Sequence, residues 1–307
     1  MYKKSTVTGR FAPSPSGVMH LGNLSSYLLA WLDARSKDGK IILRIEDLDP
    51  DRCSKKFALQ LADDLRFLGL DWDNELTPDY YQSSRTALYE DIFERLLKRD
   101  MLYPCYCSRS QRLAASAPHP GEAAHDTGCR CRHLSQAERL ELERLGKRPA
   151  WKIHVPDKEI VFTDGHYGVI KQNLADDGDF IIRRSDGVFA YQLAVSFDDM
   201  DMGVSRVVRG RDLLSSTAKQ IWLISELGGM PPEYCHAPLL LAEDGRKLSK
   251  RDGDLNMLNL RQSHTAEDIL GYLAAQLGLG DGTPVSARKL ISSFDWSNVP
   301  KNDIIIK

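Results

Sequence analysis

The opening seventy residues constrain the fold most tightly, because they alternate between two hydrophobic periods. Thr6 to Phe11 reads as a short strand that stops at the turn Pro13-Ser14-Pro15. Leu24 to Arg35 then has helical spacing, with Leu24, Tyr27, Leu28, Trp31 and Leu32 on one face. Gly39 closes this helix, and Ile41 to Ile45 is a compact apolar strand. Ser54 is placed to cap a further helix running to about Leu68. Strand, helix, strand, helix in that order predicts a parallel α/β sheet with a crossover helix.

The chain has 307 residues, of which 42% are hydrophobic and 27% charged, enough to build one large domain with an insertion or two modest domains. No apolar run approaches the roughly 18 residues of a membrane span. The start, MYKKSTVTGR, has no apolar stretch of signal-peptide type, so a cytoplasmic protein without membrane attachment is expected. The formal net charge of -2 gives no overall sign of nucleic-acid binding. Between Leu102 and Lys152 nine Lys or Arg face five Asp or Glu. That excess reads first as a solvated face, although it would also suit phosphate contacts. Six cysteines in such a chain argue against a disulfide framework, and four of them form two Cys-x-Cys pairs, a metal pattern.

Residues 104 to 133, rich in Cys, Pro, Ala, Gly and Arg, interrupt the alternation. Gln136 to Leu145 is a charged helix. From Trp151 to Ser196 strands are expected to dominate, with Ser185-Asp186-Gly187 as a hairpin signal between FIIRR and VFAYQLAV. Val204 to Val208 reads as a strand and Leu213 to Leu227 as a helix. A nucleotide-binding sheet split by a long insertion follows.

Two segments carry phosphate chemistry. RFAPSPSGVMHLGN runs from a strand to a helix across a Gly- and Pro-rich turn, and a helix start offers free N–H groups and a positive dipole end. Gly17 and Gly22 allow close approach of a nucleotide, and His20 adds a donor. GRKLSKRDG is a cationic turn with Lys247, Lys250 and Arg251, suited to charge on departing pyrophosphate. Each alone also fits an ordinary solvated loop.

In this order and at this separation the two resemble the signatures of class I aminoacyl-tRNA synthetases. His20-Leu21-Gly22-Asn23 stands for His-Ile-Gly-His, with Asn in the last place, and Lys247-Leu248-Ser249-Lys250-Arg251 for Lys-Met-Ser-Lys-Ser. The resemblance covers nearly the whole chain. It implies a Rossmann-like catalytic domain in two parts, residues 1–101 and 191–253, around a zinc-containing, acceptor-binding-like insertion at 102–190. A short helical region at 254–307 would complete the chain. His20 and Lys250 are the catalytic candidates, and His20, Gly22, Asn23, Lys247 and Lys250 the ATP-binding ones, with magnesium accompanying the ATP.

RFAPSPSG and RIEDLDP resemble the glutamate branch of this class. Glutamate has two carboxylates and one ammonium, so its pocket needs two cationic or strong donor groups and one anion. The resemblance implies a pocket from Arg10, Phe11, Ala12, Pro13, Ser14, Glu46, Tyr191 and Arg209. Glu46 would take the ammonium and Arg10 and Arg209 the carboxylates, in an order that stays open. All are expected at the carboxyl ends of strands, where open α/β sheets bind ligands.

Cys105-Tyr106-Cys107 and Cys129-Arg130-Cys131 supply four thiols, a closed set for one structural zinc. The glutamate family carries Cys-x-Cys followed by Cys-x-His or by Tyr and Cys at this point. Cys131 replaces that His and His125 lies near the place of the Tyr, so the fourth ligand stays open between them. The chain ends at Lys307, soon after Arg251, without an anticodon-domain-sized continuation. This short form resembles the glutamyl-queuosine tRNA(Asp) synthetase family. The resemblance implies a monomer that takes ATP, L-glutamate and tRNA(Asp) carrying queuosine. A truncated glutamyl-tRNA synthetase charging tRNA(Glu) and a non-catalytic nucleic-acid-binding module are the alternatives.

Overall fold

The computed structural model describes residues 6–107, 129–248 and 255–306. β1 (Thr8–Phe11) and β2 (Lys40–Leu43) pair in parallel, with Arg10 opposite Ile42. α1 (Leu21–Arg35) crosses between them and buries ten of its fifteen residues, because it packs on several sides. It starts a turn before the apolar face alone predicts. His20 takes the N-cap position, and Asn23 Oδ1 accepts the His20 backbone N–H at 3.4 Å. Gly39 is demanded by space: a Cβ there would stand 2.7 Å from the Val7 carbonyl oxygen and 2.8 Å from that of Ala34. α2 (Lys55–Phe67) is capped by Ser54 Oγ, which accepts from the Lys56 N–H at 3.2 Å. α3 (Thr86–Lys98) follows two short 3₁₀ turns.

In the insertion, β3 (Leu102–Cys105), β4 (Ala150–Ile153) and β7 (Phe180–Arg183) form an antiparallel sheet in the order β3-β4-β7. The charged helix α4 (Gln136–Arg144) leads into it, and β5 (Glu159–Asp164) and β6 (Gly168–Asn173) make a separate hairpin. Its apolar core does not close on itself. Ile153, Ile160 and Ile182 pack in one cluster with Ile92 and Phe93 of α3 and with Leu193, Phe197, Trp222 and Leu223 further along.

The expected second arm of the Ser185-Asp186-Gly187 hairpin is not a strand beyond Phe189. The turn forms, with Phe189 bridging Arg183, and the chain then enters α5 (Tyr191–Asp201). Phe189, Tyr191, Leu193, Val195 and Phe197 alternate like a strand. Burial of the intervening Ala194, and of Asp198 and Asp199 side by side, is instead met by a helix enclosed on most of its surface. Tyr191 is therefore the first residue of a helix, not the end of a strand.

β8 (Arg206–Gly210) and β9 (Glu233–Ala237) form a second parallel pair, joined through α6 (Thr217–Glu226), which starts after a 3₁₀ turn rather than at Leu213. The two parallel pairs stand side by side. The Ser205 N–H donates to the Thr8 carbonyl at 2.9 Å, and the Thr8 N–H to Ser205 Oγ at 2.9 Å, across 197 positions of sequence. Last come β10 (Leu240–Leu241), α7 (Met257–Ser263), α8 (Ala266–Gln276) and β11 (Ile304–Ile305), which pairs in parallel with β10. Among the described residues no helix is long and apolar enough to cross a membrane.

A buried charge cluster joins these parts. Arg44, wholly buried, donates from Nη1 to Asp199 Oδ1 at 2.7 Å and from Nη2 to Glu46 Oε1 at 3.0 Å. Asp199 also meets Arg10 Nε at 3.4 Å. Its neighbour Asp198 accepts from Gln82 Nε2 at 2.7 Å, Arg85 Nε at 2.8 Å and the Tyr89 hydroxyl at 2.9 Å. Removing one partner strands the rest without solvent. Asp198→Ala is expected to lower unfolding free energy by about 3 to 5 kcal/mol in denaturant titration. Arg144→Ala, which breaks an exposed pair with Glu141, should leave the transition where it is. Equal effects of the two would contradict this account.

Candidate active site

A cavity of about 460 Å³ opens over the carboxyl ends of β1 and β8. It gathers Arg10, Ala12 and Ser14 from β1 and its turn, His20, Gly22 and Asn23 from the start of α1, and Glu46 from beyond β2. Tyr191, Arg209 and Lys247 also line it. Those ten residues are among the ones that the sequence points to. Phe11 and Pro13 do not line the cavity. Phe11 is in the core with its ring edge-on to Tyr27 at 5.6 Å, and the Pro13 carbonyl accepts the Glu46 N–H at 2.9 Å. Lys250 and His125 lie outside the described residues.

The two signature segments, distant in sequence, meet at the start of α1. Residues 240–248 fold back as a hairpin in which the Ala242 N–H donates to the Arg246 carbonyl and Gly245 turns with φ +78°. Beyond residue 254 the chain returns to the same place: Asn256 bridges His20, and the Met257 N–H donates to the Met19 carbonyl at 2.8 Å. Gly22 lies beside Leu248. A Cβ there would stand 3.0 Å from His20 Nδ1 and 3.7 Å from Leu248 Cβ. Lys247, expected to meet phosphate, is paired with Asp212, a cavity residue that the sequence did not suggest.

The charged walls differ in how they are held. Burial pushes the Glu46 carboxyl up, against the pull of Arg44 and Arg10. Arg10 is tethered by Asp199 and by the Val208 carbonyl at 3.1 Å. Arg209 has no carboxylate within ion-pair distance among the described residues. Its Nη1 donates to Gln220 Oε1 at 2.7 Å, its Nη2 to Thr217 Oγ1 at 2.9 Å, and its Nε to His236 Nε2 at 3.1 Å. The cavity therefore presents a cation without an ion-pair partner among the described residues and a buried anion, an arrangement that suits a zwitterion with an extra carboxylate.

At the end of β3, just beyond it, and in the turn before α4, the sulfurs of Cys105, Cys107, Cys129 and Cys131 all lie within 4.8 Å of one another. Cys105 and Cys129 are 3.5 Å apart, Cys107 and Cys129 3.8 Å, and Cys107 and Cys131 3.6 Å. Tetrahedral arms of 2.3 Å put sulfurs about 3.8 Å apart, so the four thiols fit one ion. The Tyr106 backbone N–H donates to Cys131 Sγ at 3.3 Å and orients that sulfur. Hydrogen bonding from Cys105, with Lys152 nearby, draws Cys129 down to about 5.

A family model described as "tRNA synthetases class I (E and Q), catalytic domain" matches residues 6–300. The chain belongs to this family. A protein of Symbiobacterium thermophilum named "Glutamyl-Q tRNA(Asp) synthetase" is 46% identical over 97% of this chain and 95% of its own. One of that name from Nitratidesulfovibrio vulgaris is 43% identical over the same shares. "Glutamate--tRNA ligase 2" of Syntrophus aciditrophicus is 40% identical over 96% of this chain and 63% of its own. Among solved structures, the glutamate tRNA ligase of Elizabethkingia meningosepticum, in complex with its amino acid, superposes with a TM-score of 0.81. It is 26% identical, over 99% of this chain and 67% of that one.

Sequence reasoning on this class I synthetase missed Arg44, Tyr27, Asp212 and His236. RIEDLDP contains a signal for the first, since an arginine two residues before Glu46 in an apolar strand has nowhere to go but inward. Tyr27 was read as one of the apolar face of α1, yet it lines the cavity, and burial raises its hydroxyl pKa. The cysteine cluster yields a direct test. Metal analysis of the purified synthetase should find about one ion per chain. Cys131→Ser should lower both that content and the melting temperature. Metal-free protein with wild-type melting would remove the cluster from the account of stability.

Proposed function

We propose that this chain is an ATP-dependent ligase that forms glutamyl-adenylate without tRNA and transfers glutamate to queuosine in the anticodon of tRNA(Asp). Support for the amino acid comes chiefly from one observation: Arg209 is oriented in the cavity by neutral acceptors alone, so its charge is left for a carboxylate. Support for the acceptor comes from relatives of that name, similar over almost their whole length. We assign Glu46 to the ammonium, Arg10 and Arg209 to the two carboxylates, and Ala12, Ser14 and Tyr191 to the pocket wall around them. The ligase would act as a monomer in the cytoplasm.

The chemistry then asks little covalent work of the protein. The α-carboxylate of glutamate attacks the α-phosphorus of ATP, the bond to the bridging oxygen breaks, and pyrophosphate leaves with its magnesium. His20, Gly22 and Asn23 would hold phosphate at the start of α1, at the positive end of its dipole. Lys247 and Lys250 stabilise charge that grows on the leaving group, for which Lys247 must exchange Asp212 for phosphate. Zinc held by the four cysteines would supply no reaction step, since four thiolates leave no open position, and would instead fix the fold of the insertion.

The decisive assay is ATP–pyrophosphate exchange followed by glutamylation of tRNA(Asp) with and without queuosine, beside tRNA(Glu). Exchange is expected with glutamate alone, and transfer only to the queuosine-containing tRNA. Charging of tRNA(Glu) would instead favour the reading that the Syntrophus aciditrophicus relative suggests.

Glu46 gives the site a pH dependence. Its carboxyl is raised by burial, so it takes up a proton at a higher pH than an exposed glutamate. The neutral acid no longer attracts the ammonium. The KM for glutamate should therefore rise as pH falls below neutral, beginning above the ~4.3 at which a free glutamate side chain protonates. Glu46→Gln should bind weakly throughout and lack that limb. A limb retained in Glu46→Gln would assign it elsewhere.

A further inference from the structure

The orientation of Arg209 depends on two buried groups outside the cavity. An arginine Nε always carries a proton, so His236 Nε2, which accepts from it at 3.1 Å, is the bare nitrogen of its ring. The imidazole proton sits on Nδ1, 2.6 Å from Asp164 Oδ2. Asp164 is the last residue of β5, in the insertion. Its other oxygen, Oδ1, accepts the backbone N–H groups of His166 and Tyr167 at 2.9 Å each and of His236 at 3.3 Å. Both carboxylate oxygens are thus committed to donors, and neither residue has exposed side-chain surface.

We propose that Asp164 and His236 are positioning residues for substrate binding: Asp164 fixes the Nδ1–H tautomer of His236, and the bare Nε2 aims the Arg209 guanidinium at the substrate carboxylate. The inference rests on the reading that Arg209 receives a carboxylate of glutamate. A neutral imidazole suits the task for an electrostatic reason. A carboxylate in its place would orient the arginine equally well but would cancel the charge that the substrate needs. Asp164 supplies the negative charge one ring further away, where it selects the tautomer. Burial and the adjacent Arg209 keep His236 neutral. Thr217 Oγ1, 3.3 Å from the same Nε2, is compatible with either donor role and does not alter the assignment. Because Asp164 belongs to the insertion and Arg209 to the catalytic sheet, the glutamate pocket is aimed from the insertion.

Asp164→Asn tests this with little change of shape. The amide oxygen keeps the three backbone donors, so the NH₂ group faces Nδ1 and drives the ring proton to Nε2. Two donors, His236 Nε2–H and Arg209 Nε–H, then confront each other. The KM for glutamate in ATP–pyrophosphate exchange should rise roughly tenfold to a hundredfold. The KM for ATP and the turnover at saturating glutamate should stay within about threefold. His236→Gln, whose amide oxygen reaches the position of Nε2, should restore most of the affinity that His236→Asn loses. Nitrogen NMR of the histidine-labelled protein should find Nε2 of His236 unprotonated in the wild type and protonated in Asp164→Asn.

A wild-type His236 protonated on Nε2 would overturn the proposal even if every variant failed to fold. So would an unchanged glutamate KM in Asp164→Asn, or a parallel rise in both KM values, which would mean general loosening. No glutamate-dependent exchange in the wild type would instead overturn the functional reading, while the NMR result would still judge the tautomer.

Discussion

Arg44 is the charge on which the rest depends. It is buried without exposed surface, and burying a guanidinium is tolerable only where carboxylates surround it. Asp199 and Glu46 do so directly, and Asp198 lies 3.8 Å from its Nε. Those partners come from beyond β2 and from α5, so satisfying one arginine fixes α5 against the β1–β2 pair. The same contacts set Glu46 and Arg10, the two charged groups that Arg44 and Asp199 hold at the cavity wall. Structural and ligand-facing roles therefore share one network.

Three kinds of cation result, each defined by what holds it. Arg44 is quenched by carboxylates and serves the fold. Lys247 is exposed and paired with one carboxylate, Asp212, from which a stronger anion can take it. Arg209 is buried but held by a glutamine, a threonine, a carbonyl and an imidazole, so its charge survives in a place where solvent does not screen it. Cation–π contact with Tyr234, 5.1 Å from the ring centre, adds support without neutralising it. A site that must recognise an anionic amino acid needs the third kind.

Much of this was legible in the sequence where the signal is local. The strand–helix alternation gave the parallel sheet and its crossover. The turn after β1 and the Cys-x-Cys pairs marked the cavity and the sulfur cluster, because backbone geometry or coordination dictates residue type over a few positions. Arg10, Glu46 and Arg209 fell at strand ends as expected. Tyr191 did not, since alternation of Phe189, Tyr191, Leu193, Val195 and Phe197 imitates a strand, and only the burial of the residues between them distinguishes a helix. Asp164, His236 and Asp198 were not legible at all. Their roles exist only where segments remote in sequence meet, and a buried acid in a hairpin turn looks locally like any turn residue.

The C-terminal segment brings a consequence for how the molecule is made. The Trp296 indole donates to Asp33 Oδ1 at 2.6 Å, and the Pro300 carbonyl faces His166 Nε2 at 3.1 Å, in the turn that carries Asp164. The first of these contacts spans 263 positions of sequence. During synthesis, α1 and its buried Asp33, paired locally with Lys37, leave the ribosome long before Arg206 and Trp296, which complete the neutralisation and cover of that acid. Closure of such distant contacts is entropically slow. The nascent chain must therefore carry solvated charges and open apolar faces until the residues around Trp296 and Pro300 emerge.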